Sequence, residues 1–420
     1  MANLRHSLLN YSLGLMPALT LSVPHGGSIA AMTIFVFSLL VIIQEKTISF
    51  RLNKHEKILI FALILLPSII ASDVLIRDLR FRYFDFFLRF ILVIPVFFAI
   101  KQIKVSIYPL VHGIIIGAVL TGLTAIYQYV TSDVLYNERV FGDAFNVHGY
   151  VMKVSYGNIS LLLGVMSLAV FFLIKDMYCK KTYGLISILA FFFGLLASVL
   201  SGSRGGWVAL PVFVALLFVY VPIRVMYKMI VSLVLVGIIL MAYFSSTYIQ
   251  NRVDLAYQTV SYYVSGKKQE GPYSSSGLRI EMWKVAYITF KENSTFGVGS
   301  GNFKKAMRQK VSSGDIGNTQ QLFEHAHSEP LHFLAITGIV GAVGYLMLYG
   351  GIAYFFFVSL SRSTRSEIRY LSFLGIILIV GYFIFGLTMY AFGHLVSVLF
   401  LAVMTVIFAG LIGNIEQRQL

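Results

Sequence analysis

His325-Ala326-His327-Ser328-Glu329-Pro330 opens directly into an apolar run that continues to about residue 358. Proline suits the first turn of a helix, where its missing N–H costs nothing, and Ser328 or Glu329 then stands at the cap. The run exceeds the roughly 20 residues that a helix needs to cross a hydrocarbon core. This stretch is therefore the seam between a polar segment and a membrane span, with His327 just outside the helix N-terminus.

Working outward, further apolar runs lie near 8–23, 26–43, 57–72, 83–100, 107–130, 155–174, 184–200, 206–221, 228–244, 368–388 and 392–413. The 420 residues are 58% hydrophobic and only 12% charged. That balance excludes a soluble globular domain and predicts an all-α polytopic membrane protein with about twelve transmembrane helices. Three parts follow: spans one to nine in 1–244, one large helical insert in 245–329, and spans ten to twelve in 330–420. Met1–Asn10 leads into the first span without a small-residue cleavage site, so no cleavable signal is expected. The single cysteine, Cys179, can form neither an intrachain disulfide nor a thiolate metal site.

The net charge of +15 raises nucleic acid as a partner, but its distribution argues for topology. With the N-terminus inside, the inner loops carry Lys46, Arg51, Lys54 and Lys57, then Lys101 and Lys104, then Lys175, Lys180 and Lys181. Arg224, Lys228, Arg362, Arg365 and Arg369 continue the pattern, whereas the short outer hairpins near Pro24 and Tyr390 carry no Lys or Arg. This positive-inside bias predicts both termini in the cytoplasm and no nucleic-acid partner. The cations left outside then call for an anionic partner. In the insert they include Arg252, Lys267, Lys268, Arg279, Lys284, Lys304, Lys305, Arg308 and Lys310.

Four outer groups are candidates for that contact. Arg80 and Arg82 lie in Arg77-Asp78-Leu79-Arg80-Phe81-Arg82, and Arg89 follows Asp85 by one helical turn. Either these arginines face an anionic ligand, or Arg89 and Asp85 form a structural ion pair. The loop 131–154 offers Arg139. Ser201-Gly202-Ser203-Arg204-Gly205-Gly206-Trp207 is a tight hairpin whose glycines admit close backbone approach and whose Arg204 fork suits phosphate. On a helix over 277–291, Arg279 and Trp283 share a face with Tyr287 and Phe290, expected to rest in the membrane interface. Phe296-Gly297-Val298-Gly299-Ser300-Gly301-Asn302-Phe303 reads as a glycine turn, with phosphate cradling as its functional alternative. The positive end of the helix after Ser328 should lower the pKa of His327 and keep it a neutral base. His325, Glu324 and Glu329 surround it in sequence. Gly338, Gly341 and Gly344 form one stripe, explained by close helix packing.

Together these residues resemble the O-antigen ligases and their O-antigen polymerase relatives. His327-Ser328, nine residues, Gly338, five residues and Gly344 match that superfamily's His-polar-x9-Gly-x5-Gly pattern. The Ser201–Gly205 hairpin resembles its SGSRG element. Arg279 to Trp283 and Phe296–Phe303 resemble its RxxxW and glycine-turn elements. The resemblance covers roughly residues 185–345. Arg204–Pro211 and Arg89–Pro95 look more like ligases than polymerases.

The resemblance implies a bacterial inner-membrane enzyme with its active site on the periplasmic face. Its donor would be O-antigen on undecaprenyl pyrophosphate and its acceptor a sugar hydroxyl of lipid A–core, with membrane lipids around both. His327 would be the general base. Arg204 and Arg279, with Arg139 as a third contact, would hold the pyrophosphate. His325 would orient the base or contact acceptor phosphate, and Glu329 is the alternative base. No DxD-type acidic pair lies in the insert, so a metal-independent, cofactor-free inverting transfer is expected. The rival readings are the polymerase, with another lipid-linked glycan as acceptor, and a lipid-linked glycan flippase or transporter. A transporter would line its midplane with polar groups, whereas polarity here gathers on one face.

Overall fold

The computed structural model describes residues 2–44, 50–103, 105–131, 147–173, 179–221, 275–316 and 322–418, with isolated positions at 177 and between 224 and 261. Among these there is no strand, and nine helices are long and apolar enough to cross a membrane. The chain is an all-α polytopic membrane protein. Its helices are α1 (Ala2–Ser12), α2 (Leu15–Leu19), α3 (Gly26–Gln44), α4 (Lys54–Ile76), α5 (Arg82–Leu92) and α6 (Ile94–Gln102). Then come α7 (Tyr108–Thr131), α8 (Lys153–Ser167), α9 (Lys180–Leu200) and α10 (Leu210–Tyr220). After the insert helices α11 (Ser275–Glu292) and α12 (Phe303–Ser312) follow α13 (Glu329–Arg362), α14 (Ser366–Gly386) and α15 (Leu395–Gln417).

Three of the twelve expected runs differ. The first is broken into α1 and α2, because Gly14 lies so close to α7 that a Cβ there would meet the Pro109 carbonyl oxygen at 2.3 Å. The run at 206–221 is a short 3-10 turn, Arg204–Ala209, continued by α10. The run at 228–244 lies outside the described stretches apart from isolated positions.

The ends of α4, α9 and α14 and the starts of α8 and α13 share one pole, where Asp73 bonds Ser300, Gly386 abuts Glu329 and Gly157 abuts Ser201. Contacts across this pole tie distant parts of the chain. The Val147 N–H donates to the Leu200 carbonyl at 3.2 Å, and the Ala391 N–H donates to Glu329 at 2.8 Å. The other pole is fixed by a buried ion pair, Lys101 Nζ to Glu56 Oε2 at 2.7 Å. Glu56 also closes a capping box with Asn53 at the start of α4. The Asn414 amide donates to the carbonyls of Ile100 and Lys101, holding α15 against the end of α6.

The insert docks through a break in α13. At Gly338 the backbone takes φ 62° and ψ −156°, and two rungs of the helical ladder are opened. The freed Ala335 and Ile336 carbonyls accept from the Val298 and Gly299 N–H groups, at 3.0 and 2.8 Å. The freed N–H groups of Ile339 and Val340 donate to the Ser294 and Thr295 carbonyls, at 2.8 and 3.3 Å. Every broken bond is thus replaced, as the opening of a helix away from water requires. Gly297 and Gly338 permit the approach: a Cβ on Gly297 would lie 2.3 Å from the Ile336 carbonyl carbon. Asp73 and Arg77 clamp the turn from α4. Asp73 accepts from the Ser300 N–H, while Arg77 pairs with Asp73 at 2.8 Å and donates to the Phe296 and Gly297 carbonyls. Arg77, one of the cations unexplained by topology, is therefore spent on the fold.

Around this dock, Met282, Val285 and Ala286 of α11 pack with Phe303 and Met307 of α12 and with Ala326, Ala335 and Ile336. Outside the hydrocarbon, burying such a side chain contributes about 1.5–3 kcal/mol. The expected interfacial face of α11 differs in part. Its buried stripe is Met282, Val285, Ala286 and Thr289, while Tyr287 is exposed and covered by the Lys291 ammonium at 4.6 Å.

Candidate functional site

The seam predicted from sequence is present. Ser328 is the N-cap of α13, Pro330 sits in its first turn, and His327 precedes it in the left-handed region at φ 49°. Beneath His327, the Glu329 carboxylate is wholly buried. One of its oxygens accepts from the Ala391 N–H at 2.8 Å, and the other from the Tyr349 hydroxyl at 3.0 Å. Glu329 thereby ties the first turn of α13 to the loop between α14 and α15.

That loop completes a cluster of rings. The Tyr390 ring lies 4.4 Å from His332 and 5.4 Å from His325, and His325 lies 4.2 Å from His327. Phe303 closes against His332 at 5.2 Å and Phe323 against His327 at 5.9 Å. His394, the N-cap of α15, is near enough for its charge to act on both His325 and His327. The Nδ1 atoms of His325 and His332 are buried without a protein partner. Among the described residues, no three His, Cys, Asp or Glu side chains form a group suited to a metal ion.

Electrostatics keep these imidazoles neutral. Burial pushes His327 down to about 3, reinforced by His325, Arg279 and His394. Burial likewise pushes His325 down to about 4, with His394 adding to it. Burial also lowers His394. The direction matches the sequence expectation for His327, and burial is its largest cause. Arg279 is half-buried, and burial lowers its guanidinium from the ordinary value. A guanidinium remains charged through such a shift. A neutral acceptor beside a desolvated cation can take a proton from a hydroxyl while an anion sits opposite.

The structure brings His325, His327, Glu329 and Arg279 together. Arg204 is exposed at the head of the Arg204–Ala209 turn. The adjoining Gly205 abuts Thr388 so closely that a Cβ would lie 2.6 Å from the threonine hydroxyl, which sets this hairpin against the loop carrying Tyr390 and His394. Its neighbours serve the fold: Trp207 donates to the Ser198 hydroxyl at 3.2 Å, and Ser201 donates to the Ser198 carbonyl. Arg82 is exposed near Glu324 and reaches the Tyr83 hydroxyl at 3.2 Å. Arg80 is exposed. Arg89 is engaged by Asp85 at 3.0 Å on the same helix. Trp283 is half-buried, with its indole N–H buried and lacking a protein partner. Arg139 lies outside the described residues. The glycine turn cradles no anion with the N–H groups of residues 297–300 and 302, all of which are bonded within the protein.

Sequence reasoning missed His332, Tyr345, Tyr349, Tyr390 and His394. His332 had a signal, lying one turn after Ser328 on the same helix.

Residues 189–346, which hold the Arg204 hairpin, Arg279, the glycine turn, His327 and the Gly338 break, match the family model described as O-antigen ligase. Over those residues the chain is similar to that family. Members of the superfamily are glycosyltransferase-like ligases and polymerases that use lipid-linked polysaccharide. The chain is also 27% identical over 368 residues to a Haemophilus influenzae protein described as uncharacterized, covering 86% of this chain and 88% of the relative.

Proposed function

We propose that the protein is an O-antigen ligase of the bacterial inner membrane, with both termini cytoplasmic and the ring cluster on the periplasmic side. It transfers O-antigen polysaccharide from undecaprenyl pyrophosphate to a sugar hydroxyl of lipid A–core. The observation that carries this reading is His327, kept neutral by burial and held within electrostatic reach of Arg279, inside the segment that matches the family.

In this reading the acceptor hydroxyl gives its proton to His327 as its oxygen attacks the anomeric carbon of the donor. The bond from that carbon to the pyrophosphate oxygen breaks, and the leaving group departs with the electron pair. Pyrophosphate is a weak base, so charge stabilisation by Arg279, Arg204 and Arg139 replaces a general acid. One displacement inverts the anomeric centre. His325 packs on His327 and orients it. Glu329, with both oxygens already accepting hydrogen bonds, positions the loop that carries Tyr390.

Arg279→Ala is expected to weaken donor binding by roughly tenfold to a hundredfold, the effect of removing a charged hydrogen-bond donor. Binding of a lipid-linked pyrophosphate donor to the purified variant checks it, and unchanged affinity removes the clamp. The polymerase is the second reading, because the family match spans both activities. Deleting the gene in its host separates them. Lipid A–core without any attached glycan, with polymer accumulating on undecaprenyl pyrophosphate, is the ligase result. Core bearing a single repeat unit means the polymerase. Lipid-linked repeats retained on the cytoplasmic leaflet would mean transport.

A further inference from the structure

At the pole opposite the ring cluster, α4 and α13 enclose a trough of about 440 Å³, open on one side. Its volume falls within the range of small-molecule sites, about 300–1,000 Å³. Two glycines create it. Gly351 packs on Ala62, where a Cβ would approach to 2.5 Å, and so draws the helices together. Gly350 beside it faces open space, with nothing within 4 Å of a Cβ built there. Ile58, Phe61, Leu346, Met347 and Tyr354 form the walls, so the trough is apolar along its length.

The trough ends in positive charge. The Tyr354 ring meets that of His55 at 5.5 Å, and the Arg362 guanidinium donates to His55 Nε2 at 2.6 Å. Arg362 stands two turns beyond Tyr354, which keeps both on one face of α13. Lys54 is one turn before Ile58 on α4, and Lys54, Lys57 and Arg362 are all exposed. Nearby acidic groups cancel them only in part. Glu56 is turned inward onto Lys101, and Glu416 acts on Arg362 and Lys101 together.

We propose that this trough is a binding site for an anionic phospholipid of the leaflet opposite the ring cluster. An acyl chain lies over Gly350, and the headgroup phosphate sits on Arg362 and Lys54. The amphipathic match selects this occupant: the walls offer nothing to a polar ligand, and the rim favours an anion over a zwitterion. Basic pockets between membrane helices recognise acidic headgroups in this way.

The test uses the purified full-length protein in mixed micelles containing equimolar phosphatidylglycerol and phosphatidylcholine, with bound lipid read by native mass spectrometry. One retained phosphatidylglycerol in preference to phosphatidylcholine is expected. Arg362→Gln should reduce that preference about fivefold, the effect of one cation at a lipid surface. Gly350→Leu projects a side chain into the trough from a position whose Cβ meets nothing within 4 Å, and should release both lipids. Equal retention of the two lipids by the unaltered protein would overturn the proposal. So would unchanged retention in Gly350→Leu, or a dimer of the chain in place of a lipid adduct. If Gly350→Leu does not fold, Arg362→Gln decides alone, since its side chain is exposed and loss of its preference requires a headgroup there.

Discussion

Replacing His327 with alanine is expected to abolish glycan transfer, by about 10²–10⁴-fold, the range for removing a general base. Donor binding should persist, since Arg204 and Arg279 are untouched. The pH profile makes the prediction sharper. Burial holds His327 at about 3, so it is neutral throughout the physiological range. A base must be unprotonated, so its contribution is lost only as pH falls through its pKa. For kcat/KM, which reports the free enzyme, no acid limb from His327 is expected between pH 5 and 8. A bound pyrophosphate adds negative charge opposite Arg279 and stabilises the imidazolium, raising the His327 pKa. The acid limb of kcat should therefore lie at higher pH than that of kcat/KM. A transfer assay with a lipid-linked donor over this range measures both. Retained turnover in His327→Ala, with loss in Glu329→Gln, would move the base to Glu329.

What the sequence disclosed follows the reach of its patterns. Ser328 and Pro330 at the start of α13, and the Asp85–Arg89 pair, lie within one helical turn and were readable directly. Hydropathy found all nine long spans, because each is a local property of about 20 residues. It failed at residues 8–23, where Gly14 answers to α7 rather than to its own neighbours. The site was half legible for the same reason. His327 and Arg279 announce themselves by residue type and place. The Glu329 bond to Ala391 joins groups 62 residues apart, and the Asp73 bond to Ser300 spans 227. No periodicity in one helix predicts such pairings. Likewise, the low pKa of His327 was expected from the helix end, whereas burial under Phe323 and His325 dominates it.

Gly338 and Gly344 belong to one sequence pattern, yet they should respond very differently to substitution. Gly338→Ala places a methyl group 2.4 Å from the Thr295 carbonyl carbon and 2.6 Å from the Phe296 nitrogen, both main-chain atoms that cannot turn aside. Its φ of 62° with ψ of −156° lies in a region that is essentially restricted to glycine and costs other residues about 1–3 kcal/mol. Overpacking adds about 1–3 kcal/mol more. The four hydrogen bonds across the break are at risk with it. Gly338→Ala should therefore destabilise the protein by roughly 3 kcal/mol or more. Because the break couples α11, with Arg279, to α13, behind His327, transfer should fall further than stability alone accounts for. Gly338→Asn is the informative companion. Asparagine is tolerated in the left-handed helical region but not at this ψ, so it should rescue nothing. By contrast, a Cβ on Gly344 meets the Ile69 side-chain tip at 2.6 Å and Leu66 at 3.4 Å, and those tips can move. Gly344→Ala should cost no more than about 1 kcal/mol, within the range for a tolerated core change. Thermal unfolding and transfer rates measured on the three variants decide the matter. Equal, mild losses at both glycines would mean that the pattern serves helix packing alone and that the break is not what holds the insert over the site.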